Sequence, residues 1–288
     1  MKTYYYVHTG HRIGLDRFRR AAAIIRALGD VDITLLCSDF RIAQVAKDFG
    51  ISKSVGIDVV RNIPQIAQHG DQLIFDSEEA NPIMLEDMRA YFSTFIRVSD
   101  DPNDTKAAHE LLISPYLQGE GICTAYAVGE EFFKRVSKTI KFTYFFGDDD
   151  YEKDLEKHLT FTEALNPDLQ LGFYYFLDYE DSLKKKFRNT HEFEDYEAMI
   201  MQTDILITAS PQAVLESLAS GGRPIYVQRA DYTQNFNELF AGLNVPIIDI
   251  LDLGQIASII NAIESKKYYE IAHQSEKISK FIRESLIL

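Results

Sequence analysis

The sequence is poor in cysteine, in basic residues and in long apolar runs, and each of these scarcities argues against one class of protein. Two cysteines, Cys37 and Cys123, occur in 288 residues, each in or beside an apolar run, which favours buried free thiols in a reducing cytoplasm. Basic residues number 30 against 44 acidic ones, which argues against nucleic-acid partners, because phosphate contacts need a basic surface. No apolar run approaches the ~20 residues of a membrane span, and Met1–Tyr6 shows no signal-peptide pattern.

What is present is typical of a globular α/β protein. Hydrophobic residues make up 46% and charged residues 26% of the chain, as in ordinary globular domains. Short apolar runs alternate with helical patterns in both halves, and this alternation calls for parallel sheets with helices on both faces. We therefore predict an α/β fold with two Rossmann-like domains, residues 1–138 and 139–288, facing each other across a cleft.

The most complete local motif lies in residues 204–237. An apolar run, Ile205–Ile207, predicts a buried strand. Ser210 is a good helix N-cap and Pro211 a good first helical residue, so a helix should start there and end at Gly221. A strand follows, which completes a βαβ unit with its ligand site beside the helix N-terminus. The candidate ligand-binding residues at that terminus are Ser210, Pro211 and Gln212.

The rest of the second half is predicted as further strands and helices. Lys141–Phe146 reads as a strand, and Leu169–Leu177 as a long aromatic strand. Tyr151–Leu165 and Gln234–Leu243 read as helices, and Tyr268–Leu286 as a final amphipathic helix.

Several segments, in their order along the chain, resemble glycosyltransferase-B-type proteins. The nearest likeness is to the UDP-sugar hydrolase of the pseudaminic-acid pathway and its spore-coat polysaccharide relatives; the lipid II-forming N-acetylglucosaminyltransferase is a more distant one. The matching segments are IGLDRFRR (13–20), LIFDS (73–77), RVSDD (97–101), AYAVGEEF (125–132), FFGDDD (145–150), DILITAS (204–210) and GGRPIYV (221–227).

The resemblance implies where a nucleotide sugar would bind. It implies that Glu216 binds the ribose of the nucleotide. It also implies that the helix N-terminus at Ser210 binds the diphosphate, because a helix N-terminus favours anions. Gln234 and Asn237 become candidate sugar contacts, with a polar helix start as the other reading. A solvent-exposed helix carboxylate is the other reading of Glu216. Glycines of the two matching turns complete the candidate binding residues: Gly14 and Gly147.

The catalytic positions depart from the family pattern. In the first turn the family's histidine falls on Arg17, and the glycine before it falls on Asp16. Arginine stays protonated and is no general base, although it can hold a phosphate. His11 and Asp16 are the candidate substitutes, since both lie in the same turn. The other reading of Asp16 is an ion pair with Arg17 or Arg20.

A third departure places acidic residues at the start of the second half. Asp148 replaces a family glycine, so Asp148, Asp149 and Asp150 lie together where a diphosphate would approach, which is unfavourable without a cation. Their spacing invites comparison with metal-dependent glycosyltransferases, but those have another fold. We expect carboxylates at a helix start, with no metal and no other cofactor.

Two functions follow from this pattern. The first is a cytoplasmic enzyme, a hydrolase or glycosyltransferase that uses a UDP-linked sugar in surface or flagellar glycan biosynthesis. The second is a catalytically silent relative that senses or carries the sugar nucleotide, or serves as a partner subunit.

Overall fold

The computed structural model describes residues 1–79, 81–157, 159, 165–250, 256–263 and 265–287. The described chain divides into two compact units. Unit 1 comprises Met1–Gly10, Arg17–Gly129 and Gln274–Leu288, and unit 2 comprises His11–Asp16 and Glu130–His273. Each unit is built on one parallel sheet, so the predicted α/β fold class with two Rossmann-like sheets is confirmed. The domain bounds 1–138 and 139–288 stay a prediction.

Unit 1 contains a seven-stranded sheet in the order β3-β2-β1-β4-β5-β6-β7. Its strands are β1 (Thr3–Val7), β2 (Ile33–Cys37), β3 (Ser54–Gly56), β4 (Gln72–Asp76), β5 (Thr94–Val98), β6 (Leu111–Ser114) and β7 (Ile122–Thr124). The first helices are α1 (Asp16–Leu28), α2 (Phe40–Val45), α3 (Ile63–Ile66) and α4 (Pro82–Tyr91). Every residue of β1, β4 and β5 is buried, as expected for parallel strands covered on both faces.

Unit 2 contains a six-stranded sheet in the order β10-β9-β8-β11-β12-β13. Its strands are β8 (Ile140–Phe145), β9 (Asp168–Gln170), β10 (Thr190–His191), β11 (Thr203–Thr208), β12 (Arg223–Gln228) and β13 (Ile247–Asp249). Its helices are α5 (Asp154–Lys157), α6 (Leu177–Lys184), α7 (Tyr196–Gln202), α8 (Pro211–Ala219), α9 (Asn237–Gly242) and α10 (Ile256–Ile263), and α11 (Ser275–Ser285) returns to unit 1.

Each sheet has one point where the strand order reverses. In unit 1 the reversal falls between β1 and β4, and in unit 2 between β8 and β11. Ligands of open parallel sheets bind outside the carboxyl ends of the strands at such a reversal. In unit 2 this point lies between the Gly147 turn, which follows β8, and Ser210, which follows β11.

Two predicted elements of the second half are wrong. The strand predicted over Leu169–Leu177 ends at Gln170, because the chain then folds against the β8 turn and the Tyr174 amide donates to the Asp148 carbonyl at 2.8 Å. The helix predicted over Tyr268–Leu286 begins only at Ser275. Before it the Tyr269 amide donates to the carbonyl of Leu243, so this segment hydrogen-bonds elsewhere in unit 2 instead of forming a helical turn.

One further predicted helix is shorter in the structure, and another lies partly outside the described residues. The one predicted over Gln234–Leu243 begins at Asn237, after a turn in which the Asn237 amide donates to the Gln234 carbonyl. Of the helix predicted over Tyr151–Leu165, the structure describes α5, while residues 158 and 160–164 lie outside the described residues. Among the helices described here, none has both the length and the apolar character needed to cross a membrane.

Candidate functional site

The N-terminus of α8 lies at the strand reversal of unit 2. Ser210 has extended backbone angles, and its Oγ accepts a hydrogen bond from the Ala213 amide at 3.1 Å, while Pro211 occupies the first helical position. The predicted N-cap and helix start are therefore confirmed. The remaining amides of the first helical turn have no partner within the helix, so this end of α8 favours an anion.

A carboxylate of the chain itself occupies this helix end. Asp16 Oδ1 accepts a hydrogen bond from Ser210 Oγ at 2.6 Å, and Asp16 Oδ2 accepts one from the Gln212 amide at 3.2 Å. All of these residues belong to unit 2, because residues 11–16 group with it. The structure thus brings together three residues that the sequence singled out separately, Asp16, Ser210 and Gln212.

Glu216 lies one helical turn further along α8 and is 2% exposed. Its Oε1 accepts a hydrogen bond from Gln212 Nε2 at 2.9 Å, and its Oε2 accepts one from the Tyr196 hydroxyl at 2.6 Å. A solvent-exposed helix carboxylate, one of the two sequence readings, is therefore wrong. The ribose role stays a prediction, and it requires a hydroxyl pair to share or replace these two donors.

Three buried aspartates form the turn after β8, and each accepts hydrogen bonds from its surroundings. Asp148 Oδ1 accepts from the Phe173 amide at 3.4 Å. Asp150 accepts from the amides of Asp154 and Leu155 and from the Tyr179 hydroxyl. Asp150 therefore caps α5, as the helix-start reading predicts.

Asp149 lies against a buried arginine that follows β12. Its Oδ2 is 3.2 Å from Arg229 Nη2, and its Oδ1 accepts a hydrogen bond from the Tyr232 hydroxyl at 2.7 Å. The Arg229 guanidinium lies over the rings of Phe146 and Tyr232, at 4.6 and 4.2 Å from their centroids. Burial raises the pKa of Asp149 to about 6, although Arg229 and the Tyr232 hydrogen bond act in the opposite direction. The cation that this acidic turn requires is thus provided by the chain.

Sequence reasoning did not select Arg229 or Tyr232. Both belong to the segment RADYTQNFN, in which only Gln234 and Asn237 were candidates. Signals do exist in the sequence: Arg229 directly follows a buried strand, at the sheet edge where three aspartates need a counter-charge. The pairing joins residues 80 positions apart, so it needs the sheet order to be recognised.

Glycine is required at two points beside Asp149. Gly14 has a φ of +74°, and a Cβ there would lie 3.1 Å from Asp149 Oδ1. Gly147 has a φ of +140°, a region that favours glycine. The two candidate glycines therefore lie close to the same aspartate, which is 3.8 Å from a Cβ built on Gly147.

Gly172 is the residue where the aromatic segment comes closest to this turn. A Cβ at position 172 would lie 2.5 Å from the Gly147 carbonyl oxygen and 2.8 Å from the Asp148 Cα. We expect Gly172→Ala to lower the free energy of unfolding by about 1–3 kcal/mol through overpacking against backbone. Gly242→Ala is the control, because nothing lies within 4 Å of a Cβ there. Urea unfolding of both variants checks this, and equal stability of the two would contradict it.

The arginines of the first turn have their carboxylate partners within unit 1. Arg17 belongs to unit 1, where its guanidinium is 3.9 Å from Asp76 and 3.2 Å from Glu78. Arg20, the other possible partner of Asp16, is buried against Asp76. Both arginines therefore have carboxylate partners at the carboxyl end of β4.

The two histidines of this region have different surroundings. His11 is exposed in unit 2, with its ring 5.3 Å from that of Tyr174. His8 is in unit 1, 3.8–4.0 Å from Glu79 and Glu78, and burial lowers its pKa.

The candidate sugar contacts lie in and before α9. Gln234 is exposed. Asn237 is partly buried, and its Oδ1 has no hydrogen-bond partner among the residues that the structure describes. Within the same part of the chain there is no group of three or more His, Cys, Asp or Glu side chains arranged to hold a metal ion.

No protein-family model matches the sequence, and no curated protein matches it. Solved structures do match over nearly the whole chain. The UDP-GlcNAc 2-epimerase of Methanocaldococcus jannaschii, solved with UDP-GlcNAc and UDP, has a TM-score of 0.63 at 10% identity and covers 99% of this chain and 100% of its own. Alr3699/HepE of Anabaena, solved with UDP-glucose, has a TM-score of 0.61 at 12% identity, covering 97% and 95%.

A third match is MurG of Acinetobacter baumannii, with a TM-score of 0.54 at 12% identity, covering 99% of this chain and 96% of its own. At these identities the likeness concerns the fold. The chain has the glycosyltransferase-B type of fold, as its resemblance in sequence implies.

Proposed function

We propose that unit 2 binds a nucleotide sugar, with uridine diphosphate as the nucleotide, at the carboxyl edge of its sheet. The observation that carries this proposal is the N-terminus of α8, which lies at the strand reversal and already holds a carboxylate on Ser210 Oγ and the Gln212 amide. An end that holds a carboxylate suits a phosphate as well, because the donors and the helix dipole are the same. The UDP and UDP-sugar complexes of two structural neighbours support the choice of nucleotide.

The electrostatics of the neighbouring turn are compatible with a diphosphate. Asp149 is paired with Arg229 at 3.2 Å, so the negative charge of its carboxylate is offset by the guanidinium. Asp150 directs its oxygens to the amides of α5. The repulsion expected from three adjacent carboxylates is therefore partly offset within the turn.

The reaction we propose is hydrolysis or glycosyl transfer in surface or flagellar glycan biosynthesis, in the cytoplasm. His11 is the candidate base, because it is exposed and histidine is the side chain that most often acts as a general base. Asp16 and Arg17, the other catalytic candidates, are both engaged by side chains of this protein.

Because Asp16 and Arg17 already have partners within the protein, the structure also supports a second candidate function, that of a catalytically silent relative. A relative that has lost catalysis but keeps a nucleotide site would serve as a sensor, a carrier or a partner subunit. Its supporting observation is that the residue at the position of the family histidine, Arg17, lies in an acidic cluster with Asp76 and Glu78.

Calorimetry with UDP, CMP and GDP tests the binding proposal, and assay of UDP release from a panel of UDP-sugars separates the two functions. We expect UDP to bind and CMP and GDP to bind more weakly. UDP release supports the enzyme, whereas UDP binding without release from any sugar supports the silent relative. If no nucleotide binds, both functions are overturned.

Glu216→Gln tests the ribose contact. We expect UDP affinity to fall about tenfold, equivalent to one lost hydrogen bond to a charged group. The control is Tyr196→Phe, which removes the other side of the 2.6 Å hydrogen bond to Glu216 without removing the carboxylate. The Glu216→Gln substitution should lower the affinity for 2′-deoxy-UDP less than it lowers the affinity for UDP. Equal losses for both variants, or for both ligands, would assign Glu216 a purely structural role.

A further inference from the structure

We propose that Asp16 is an internal competitor for the anion position at the N-terminus of α8, so that a phosphate-bearing ligand binds by displacing its carboxylate. This inference rests on the proposed function, because it concerns the same helix end. It adds a second role for a residue whose type departs from the glycine of the resembling family.

The contacts are those of an anion bound to a helix. The two Asp16 oxygens take separate donors, the Ser210 hydroxyl at 2.6 Å and the Gln212 amide at 3.2 Å. The residues that meet are 194 and 196 positions apart, so this is no local capping turn. A carboxylate in this place gains from the helix dipole as well as from the hydrogen bonds.

A second anion cannot share the position at low cost. Two like charges a few ångströms apart repel each other strongly near a protein surface, where the effective dielectric constant is well below that of water. Negative charge is already present near Tyr232. Burial raises the pKa of the Tyr232 hydroxyl, and the charges of Asp149 and Asp16 raise it further. A phosphate group must therefore replace the carboxylate.

A phosphate could displace the Asp16 carboxylate from the N-terminus of α8. The Asp16 side chain is partly exposed, although Gly14 and Leu15 directly before it are buried, so the displacement requires a side-chain movement and no movement of the backbone. A phosphate offers more acceptor oxygens and more charge than a carboxylate, so it gains more from the same donors. The apparent affinity for nucleotide is then reduced by the free energy of the Asp16 contact.

The experiment compares Asp16→Asn with the unchanged protein by calorimetry, using inorganic pyrophosphate and UDP as probes. Asparagine keeps the size of the side chain and removes its charge. The control is Asp178→Asn, which makes the same change in net charge at a residue of unit 2 whose side chain is 81% exposed. A second variant, Asp16→Gly, removes the side chain, and urea unfolding establishes that each variant is folded.

We expect both Asp16 variants to bind pyrophosphate and UDP at least about tenfold more tightly, and Asp178→Asn to bind like the unchanged protein. UDP binding that is equal or weaker in the Asp16 variants would overturn the inference and leave the proposed function intact. Tighter pyrophosphate binding with no UDP binding would support the competitor and overturn the nucleotide proposal. Absence of binding by either probe to every variant would overturn both.

Discussion

Arg229→Met is expected to lower the free energy of unfolding by about 3–5 kcal/mol, the cost of leaving a buried charge without its partner. Arg229 and Asp149 are 3% and 1% exposed, so water does not replace the lost contact. Methionine keeps much of the volume that lies over the rings of Phe146 and Tyr232. The loss therefore reports on charge more than on packing.

The effect should depend on pH with a definite sign. The pKa of Asp149 is raised to about 6 by burial, so above that pH the folded protein carries the carboxylate, and below it the carboxyl is protonated. The contribution of Arg229 is therefore present above about 6 and is lost as the pH falls through that value. Urea unfolding at a pH well above 6 and at one well below 6 measures the difference.

Two variants make this prediction specific. Arg223→Met removes another arginine of unit 2, whose ion pair with Asp204 is about 30% exposed on both sides, and we expect it to cost less than about 1 kcal/mol. Adding Asp149→Asn to Arg229→Met should recover part of the loss, because no charge is then left behind. An Arg229 loss that is independent of pH and unaffected by Asp149→Asn would assign the effect to packing.

Arg20→Met is expected to cost a comparable amount, about 3–5 kcal/mol, in unit 1. The Arg20 guanidinium binds both oxygens of Asp76, with Nε–Oδ2 at 2.9 Å and Nη2–Oδ1 at 2.5 Å, and it also contacts Asp100. The Asp76 side chain is fully buried, and burial raises its pKa while Arg20 opposes this rise. Removing Arg20 leaves that carboxyl with the Tyr5 hydroxyl as a close donor, at 3.1 Å.

Arg41→Met provides the comparison for Arg20. Its ion pair with Asp39 joins two residues of one turn, and the arginine side chain is 49% exposed, so a loss within about 1 kcal/mol is expected. Thermal or urea unfolding measures both. Similar losses for Arg20→Met and Arg41→Met would show that burial of the Arg20 cluster does not contribute as argued.

The sequence was most informative where neighbouring residues decide the structure. The strand before Ser210, the Ser210 cap and Pro211 at the first helical position form one continuous segment, and each has a strong local preference. The structure has β11 over Thr203–Thr208 and α8 over Pro211–Ala219. The alternation of such segments was also enough to predict two parallel sheets.

Long-range side-chain pairing could not be predicted in the same way. Asp16 meets Ser210 across 194 positions, and Arg229 meets Asp149 across 80, so both contacts depend on the order of strands. The aromatic run after Leu169 has strong strand propensity, but Gly172 packs against the Gly147 turn and the strand ends before it. Tertiary packing here overrides local preference.

Amide chemical-shift mapping by NMR on titration with UDP tests most directly whether the N-terminus of α8 is the phosphate site. We predict that the largest shifts fall on the amides of Gln212 and Ala213, together with that of Asp16 as its carboxylate leaves Ser210. Saturable UDP binding that leaves these three amides unchanged, with its largest shifts at the Arg20–Asp76 cluster of unit 1, would contradict it.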